Sequence, residues 1–303
     1  MVALSMPAVT VVIATADRAE ALERCLASLA HGMRAPDEII VVDQSRGTAT
    51  RAVTDAAPLP ITYLADTGRG LGRAQNLAFA AAAGPVVTVL DDDCVADERW
   101  IESIAETFAS DPGLAGLAGR VLPLEPAPPG TVAISTRPST VRKTFGFTLE
   151  PWNVGSGNNF ALRRDWFERI GGCDERLGPG AEGRGGLDLD LFYRLLRAGG
   201  AMVYEPAVLV FHETKPRGER VARRANYGYG MGAAAVFRHH EHDPRAYALL
   251  RTWLAYRARL LARACVRGRL RSVYEEMLML GGTLWGVVFA LRHDIAKPRS
   301  STP

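Results

Sequence analysis

The sequence predicts an α/β fold in which a parallel sheet is covered by helices on both faces, followed by a C-terminal helical extension. Three observations lead there. Short β-branched runs alternate with helical patterns from Val9 to about Leu122, the spacing of βαβ units. Those runs are apolar throughout rather than alternating, as strands buried on both faces must be. Beyond a last strand segment at Met202 to Phe211, the chain reads as helical to about Arg292. With 303 residues, 48% of them apolar, it can bury one large domain or a domain with an appendage. Residues 1–213 and 214–303 form the two expected regions.

The elements follow in order. Val9 to Ala14 is a continuous Val/Ile strand. Asp17-Arg18-Ala19-Glu20 fits a capping box that opens a helix with Leu22, Leu26 and Leu29 on one face. Glu38 to Val42 is a strand that ends in Asp43-Gln44-Ser45, and a helix at Thr48 to Ala56 and a strand at Ile61 to Leu64 come next. Gly68-Arg69-Gly70-Leu71-Gly72-Arg73 leads into a helix to about Ala83, and Pro85 to Leu90 is the following strand. A helix over Glu98 to Phe108 and a strand over Leu117 to Leu122 precede a Pro-, Ser- and Thr-rich stretch, Pro123 to Pro151, which reads as a long functional loop. Asn159 to Arg163 is a strand; Arg164 to Ile170 and Asp188 to Arg197 are helices.

Cys25, Cys94, Cys173 and Cys265 lack metal-ligand spacing and read as free thiols in a reducing cytosol. Met1 to Met6 carries no secretory signal, so the expected location is cytoplasmic. The net charge of +3 is unevenly spread: between Lys215 and Arg271, fourteen Lys/Arg face three acidic residues, which leaves the rest of the chain acidic.

The chemistry concentrates at Asp91-Asp92-Asp93, directly after the Pro85–Leu90 strand. In open α/β sheets ligands bind at the carboxyl ends of strands. Three adjacent carboxylates repel one another unless a cation or hydrogen-bond donors compensate. A hard divalent ion, with substrate phosphates completing its shell, is the usual compensation. A solvated acidic turn is the bland alternative. Arg69 and Arg73 flank a glycine-rich turn at a helix start, where backbone N–H groups and guanidinium forks suit a diphosphate.

Five segments occur in an order and spacing that resemble family 2 glycosyltransferases of the GT-A fold. They are Val12 to Arg18, Ile39 to Asp43, Arg73-Ala74-Gln75-Asn76, Leu90 to Asp93, and Gly171-Gly172-Cys173-Asp174-Glu175. Leu187-Asp188-Leu189-Asp190-Leu191 falls where that family carries an acidic motif, and the resemblance covers roughly residues 8 to 213. It implies a Rossmann-like mixed sheet flanked by helices. It also implies inverting transfer of a sugar from a nucleotide-diphosphate donor to a hydroxyl acceptor, with Mn²⁺ or Mg²⁺.

The resemblance also implies roles. Asp93 would hold the metal, Asp91 the ribose or metal, and Asp92 the sugar or the site itself. Asp43 would bind the nucleoside, with Thr15 and Asp17 lining the same pocket; helix capping alone would also account for Asp17. Gln44 replaces the family's common second acid and leaves the base open. Asp188 would be the general base, with Glu182 in reserve and Asp190 bracing the helix. His212 would serve the metal or diphosphate, or be structural. Asn158, beside Trp152 and small residues, would read sugar hydroxyls, although turn formation alone also explains that run.

In the basic region, arginines at 251, 257, 259, 263, 267, 269 and 271 interleave with Leu249, Leu250, Trp253, Leu254, Leu260 and Leu261. That pattern suits peripheral contact with an anionic membrane at its inner face. Met277 to Leu291 is apolar but shorter than the ~20 residues a span needs. No nucleic-acid motif accompanies the charge. A sugar-phosphate nucleotidyltransferase is the alternative enzyme, but Ala14 to Arg18 lacks the glycine-rich loop it would carry. A non-catalytic nucleotide-binding scaffold is the third reading.

Overall fold

The computed structural model describes residues 6–126, 135–213, 219–240 and 242–292. Its first half is β1 (Val9–Thr15), α1 (Ala19–Ala30), β2 (Glu38–Asp43), α2 (Ala49–Ala56), β3 (Ile61–Ala65), α3 (Leu71–Ala81), β4 (Val86–Leu90) and β5 (Cys94–Ala96). Then come α4 (Trp100–Ser110), β6 (Leu114–Pro123), β7 (Lys143–Phe145), β8 (Asn159–Arg163), α5 (Arg164–Arg169), α6 (Leu187–Arg197) and β9 (Ala201–His212). The chain continues through α7 (Glu219–His239), α8 (Pro244–Val266) and α9 (Leu270–Arg292).

One sheet runs in the order β3-β2-β1-β4-β8-β6-β9-β5, with β7 on β9. The parallel pairing that the alternation predicts holds for β3-β2-β1-β4. Beyond β4 the sheet is mixed: β8 is antiparallel to both β4 and β6, and β5 is antiparallel to β9. The change of direction comes at β8, which follows a connection (124–158) whose described residues hold β7 and no α-helix. The core is built as the periodicities require. Val9, Val11 and Ile13 of β1 pack with Leu22, Leu26 and Leu29 of α1 and with Trp100, Ile104 and Phe108 of α4, all essentially buried. Each such side chain contributes about 1.5–3 kcal/mol by leaving water.

Local expectations fail at four places. The capping box does not form: Arg18 is the N-cap of α1 without a side-chain cap bond, and Asp17 stands at φ +56, where its carboxylate instead accepts from the Arg46 N–H at 3.0 Å. Helix α4 begins two residues later than expected. Strand β5 has no counterpart in the sequence reading, because three residues are too few to show a period. Within the expected 123–151 loop, β7 pairs with β9 and Val121 bridges Arg137; residues 127–134 lie outside the described ones.

Two compact units divide the chain. One holds residues up to 148 with 152–173 and 191–216; the other holds 149–151, 174–190 and 217 onward. In the second unit, α7 and α9 meet through glycines, since a Cβ at Gly230 or Gly282 would overlap the backbone of Met279 or Tyr227. The loop before α6 meets α7 in the same way: a Cβ at Gly232 would overlap Gly185 backbone atoms. Trp253 of α8 is buried and donates to Thr283 of α9 at 3.2 Å, and Arg257 pairs with Glu276 at 2.9 Å.

Candidate functional site

The parallel register sets the nucleus of the site. Thr15 is aligned with Asp43, and Asp43 with Ala65, so the carboxyl ends of β1, β2 and β3 finish at one level. Asp43 is buried; its carboxylate accepts from the Tyr63 hydroxyl at 2.7 Å and from the Ser45 N–H at 2.8 Å. Burial first, then that bond and the charge of Asp43, push the Tyr63 phenol up to about 12. Asp17 joins the same corner: its N–H donates to Ser45 Oγ at 2.7 Å.

The glycine-rich turn is held by partners from the strand ends beside it. Gln44, in place of an acid, donates to Asp66 at 2.9 Å and accepts from the Gly70 N–H at 3.1 Å. Arg73 forms an ion pair with Asp66 at 3.0 Å, while Arg69 is exposed. Burial opposes the charge of Asp66, but Arg73, the Gly68 N–H and Gln44 outweigh it and lower its pKa. The Arg73 guanidinium thus has an internal partner that the sequence did not reveal. Two of the spaced motifs also meet: Asn76 donates to the Cys173 carbonyl at 3.0 Å and accepts from its N–H at 2.7 Å. This clamp holds Gly171 and Gly172 at φ +79 and +70, a region glycine enters without strain.

The acidic strand end is a connected cluster. Asp92 is fully buried; one carboxylate oxygen accepts from Thr15 Oγ1 at 2.7 Å and the other lies 2.6 Å from Arg18. The same guanidinium reaches Asp93 at 2.8 Å, and the other Asp93 oxygen lies 3.4 Å from His212 Nε2. His212 is placed by β9, where it pairs with Cys94 of β5. Asp91 is partly buried, and burial first, then Asp93 and Asp92, push its carboxyl up to about 7. Sequence reasoning missed Arg18 as a member of this site, because its partners lie 74 and 75 positions away.

Asn158 is 3% exposed, and neither of its amide atoms has a partner among the described residues. The register Leu90↔Asn159 sets it beside the start of the aspartate run. Gly155 is required nearby, since a Cβ there would overlap that of Ala118. In the second unit, Asp188 sits in the first turn of α6, partly buried, accepting from the Leu189 N–H at 2.9 Å. Glu182 is exposed, and Asp190 is fully buried against His240 at 2.9 Å, a bracing contact.

The ligand atoms of Asp93, Cys94 and His212 lie within 4.8 Å of one another. A carboxylate with an imidazole suits Mn²⁺, and a carboxylate alone suits Mg²⁺. Burial first, then Asp91 and Asp93, drive the Cys94 thiol well above its ordinary value.

Comparison with known proteins shows the family and the fold. Residues 10–171 match the family model described as Glycosyl transferase family 2. A pre-mycofactocin glycosyltransferase of Mycobacterium tuberculosis is 31% identical over 245 residues, 76% of this chain and 48% of that protein. Glycosyltransferase AglE of Haloferax volcanii is 24% identical, covering 75% of this chain and 74% of its own. The chain thus spans about half the length of the first of these relatives. Among solved structures, the mannosyltransferase PcManGT of Pyrobaculum calidifontis, in complex with GDP-Man and Mn²⁺, superposes with a TM-score of 0.61 at 18% identity, covering 93% of this chain and 88% of its own. GalNAc-T7 with UDP, GalNAc and Mn²⁺ gives 0.54 at 17% identity, over 75% of this chain and 50% of that one.

Proposed function

Since this chain belongs to glycosyl transferase family 2 and has the GT-A fold, we propose that it moves a sugar, with inversion, from a nucleotide-diphosphate donor to a hydroxyl acceptor. The observation that carries the reading is the acidic end of β4 facing His212, with Asp93 and His212 at ligand spacing. Two solved proteins of this fold hold Mn²⁺ with a nucleoside diphosphate or its sugar, which supports the same ligand class here.

Asp93 and His212 would hold the divalent ion, with Asp91 beside them; the ion would absorb the charge that develops on the departing diphosphate. Asp43 receives the nucleoside, in a corner already ordered by Tyr63, Ser45 and Asp17. Thr15 fixes Asp92, so Asp92 supports the site rather than rotating toward solvent. Asn158, whose amide is buried and unspent, turns to the sugar hydroxyls. Asp188 accepts the proton of the incoming hydroxyl.

The helical extension is proposed to rest on anionic lipid at the cytoplasmic face. No described helix is long and apolar enough to cross a membrane. Part of the expected apolar stripe serves the unit's own core: Leu249 and Trp253 are buried, and Arg257 pairs with Glu276. What remains outside is Met277, Leu284, Trp285, Val288 and Leu291 along one side of α9, in a unit whose exposed arginines include 251, 259, 263 and 267.

The test is a melting-temperature panel of GDP, UDP and their sugars with and without Mn²⁺, on the parent protein, Asp93→Ala and Asp188→Asn. The expected result is a nucleotide shift that requires Mn²⁺, is lost in Asp93→Ala and persists in Asp188→Asn, while donor turnover disappears in both variants. Metal-independent shifts, or full turnover in either variant, would remove that residue from the mechanism.

A further inference from the structure

Among the described residues, the Arg18 guanidinium pairs with two of the three carboxylates at 91, 92 and 93, and its position matters as much as its charge. The Arg18 guanidinium bridges Asp92 Oδ1 at 2.6 Å and Asp93 Oδ2 at 2.8 Å, leaving Asp93 Oδ1 directed at His212. Arg18 is the N-cap of α1, and beyond its ion pairs with Asp92 and Asp93 its side chain is 42% exposed, so it can swing outward without opening the core.

We propose that Arg18 is a built-in counter-cation that keeps Mn²⁺ affinity low until a diphosphate arrives, so that the metal enters together with the nucleotide. The argument rests on the metal-and-diphosphate reading above and adds an order of binding to it. A divalent ion at Asp93 Oδ1 would stand within a few ångströms of the guanidinium, and like charges so placed repel strongly. A diphosphate brings anionic oxygens that can receive both cations, so Arg18 moves from opposing the metal to helping hold the nucleotide. The two ligands are then coupled, and by linkage each raises the affinity of the other by the same factor.

Arg18 is therefore a positioning residue, and it makes a prediction whose sign a merely structural residue would not give. Mn²⁺ binding is measured by the paramagnetic resonance of free Mn²⁺, first without nucleotide and then with GDP or UDP, whichever shifts the melting temperature. Arg18→Gln and Arg18→Ala should bind Mn²⁺ alone about tenfold more tightly than the parent, and the nucleotide, at saturating Mn²⁺, about tenfold less tightly. Arg18→Lys keeps the charge and should stay near the parent for Mn²⁺ alone. Unchanged or weaker Mn²⁺ binding in both the Gln and Ala variants overturns the proposal while leaving the metal site itself intact. If the parent takes up no Mn²⁺ even with either nucleotide, the metal reading fails and this proposal falls with it.

Discussion

Replacing Asp91 with asparagine should stabilise the metal-free protein at alkaline pH and leave it unchanged in acid. The folded protein holds the Asp91 proton up to about pH 7, because burial and the charges of Asp93 and Asp92 penalise the carboxylate. In the unfolded chain the same group ionises near its ordinary value of about 3.9. Between those limits the folded state binds a proton that the unfolded state has released. The stability this contributes is complete below about pH 4 and is lost as pH rises through about 7. Three units at about 1.4 kcal/mol each set the loss at about 4 kcal/mol, shared among carboxylates that titrate together. Asparagine has the same shape and carries none of it. Urea unfolding of both proteins in EDTA, followed from about pH 4.5 to about pH 8, should show Asp91→Asn gaining about 2–4 kcal/mol on the parent across that span. Curves that stay parallel would refute the idea that burial beside Asp92 and Asp93 holds the Asp91 proton in the folded state.

Two further outcomes follow from packing and from the surface. Gly155→Val should lower stability by about 1–3 kcal/mol in thermal melts, because its side chain must enter the space of Ala118, whereas Gly146→Ala, with nothing within 4 Å, should be silent. The protein should float with anionic but not zwitterionic vesicles, and Trp285→Glu should abolish flotation; equal recovery with both vesicle types would end the lipid reading.

How far the molecule could be read in advance depended on the range of the interaction. The strands from Val9 to Leu90 are marked by local runs of β-branched residues, and the face of α1 by Leu22, Leu26 and Leu29, so both were visible. The apolar run before Asp91 likewise announced where carboxylates would collect. Partners set by strand register were not visible. Nothing near Arg18 says that it grips residues 74 and 75 positions on, and nothing near Arg73 says that Asp66 takes its guanidinium. Asp17 matched a capping pattern, yet a left-handed backbone and a neighbouring strand end turned its carboxylate elsewhere. The buried, unspent amide of Asn158 is a property of packing, and only the folded chain exposes it.

The contact between Gly185 and Gly232 has a mechanical meaning. Two backbones meet there with no side chain between them, so there is no rotamer to absorb a push. A tilt of α7 toward that loop would press directly on the peptide that leads into Asp188. A load taken up by α7 would thus reach position 188 as a displacement, and a bulkier residue at position 232 would jam that transmission.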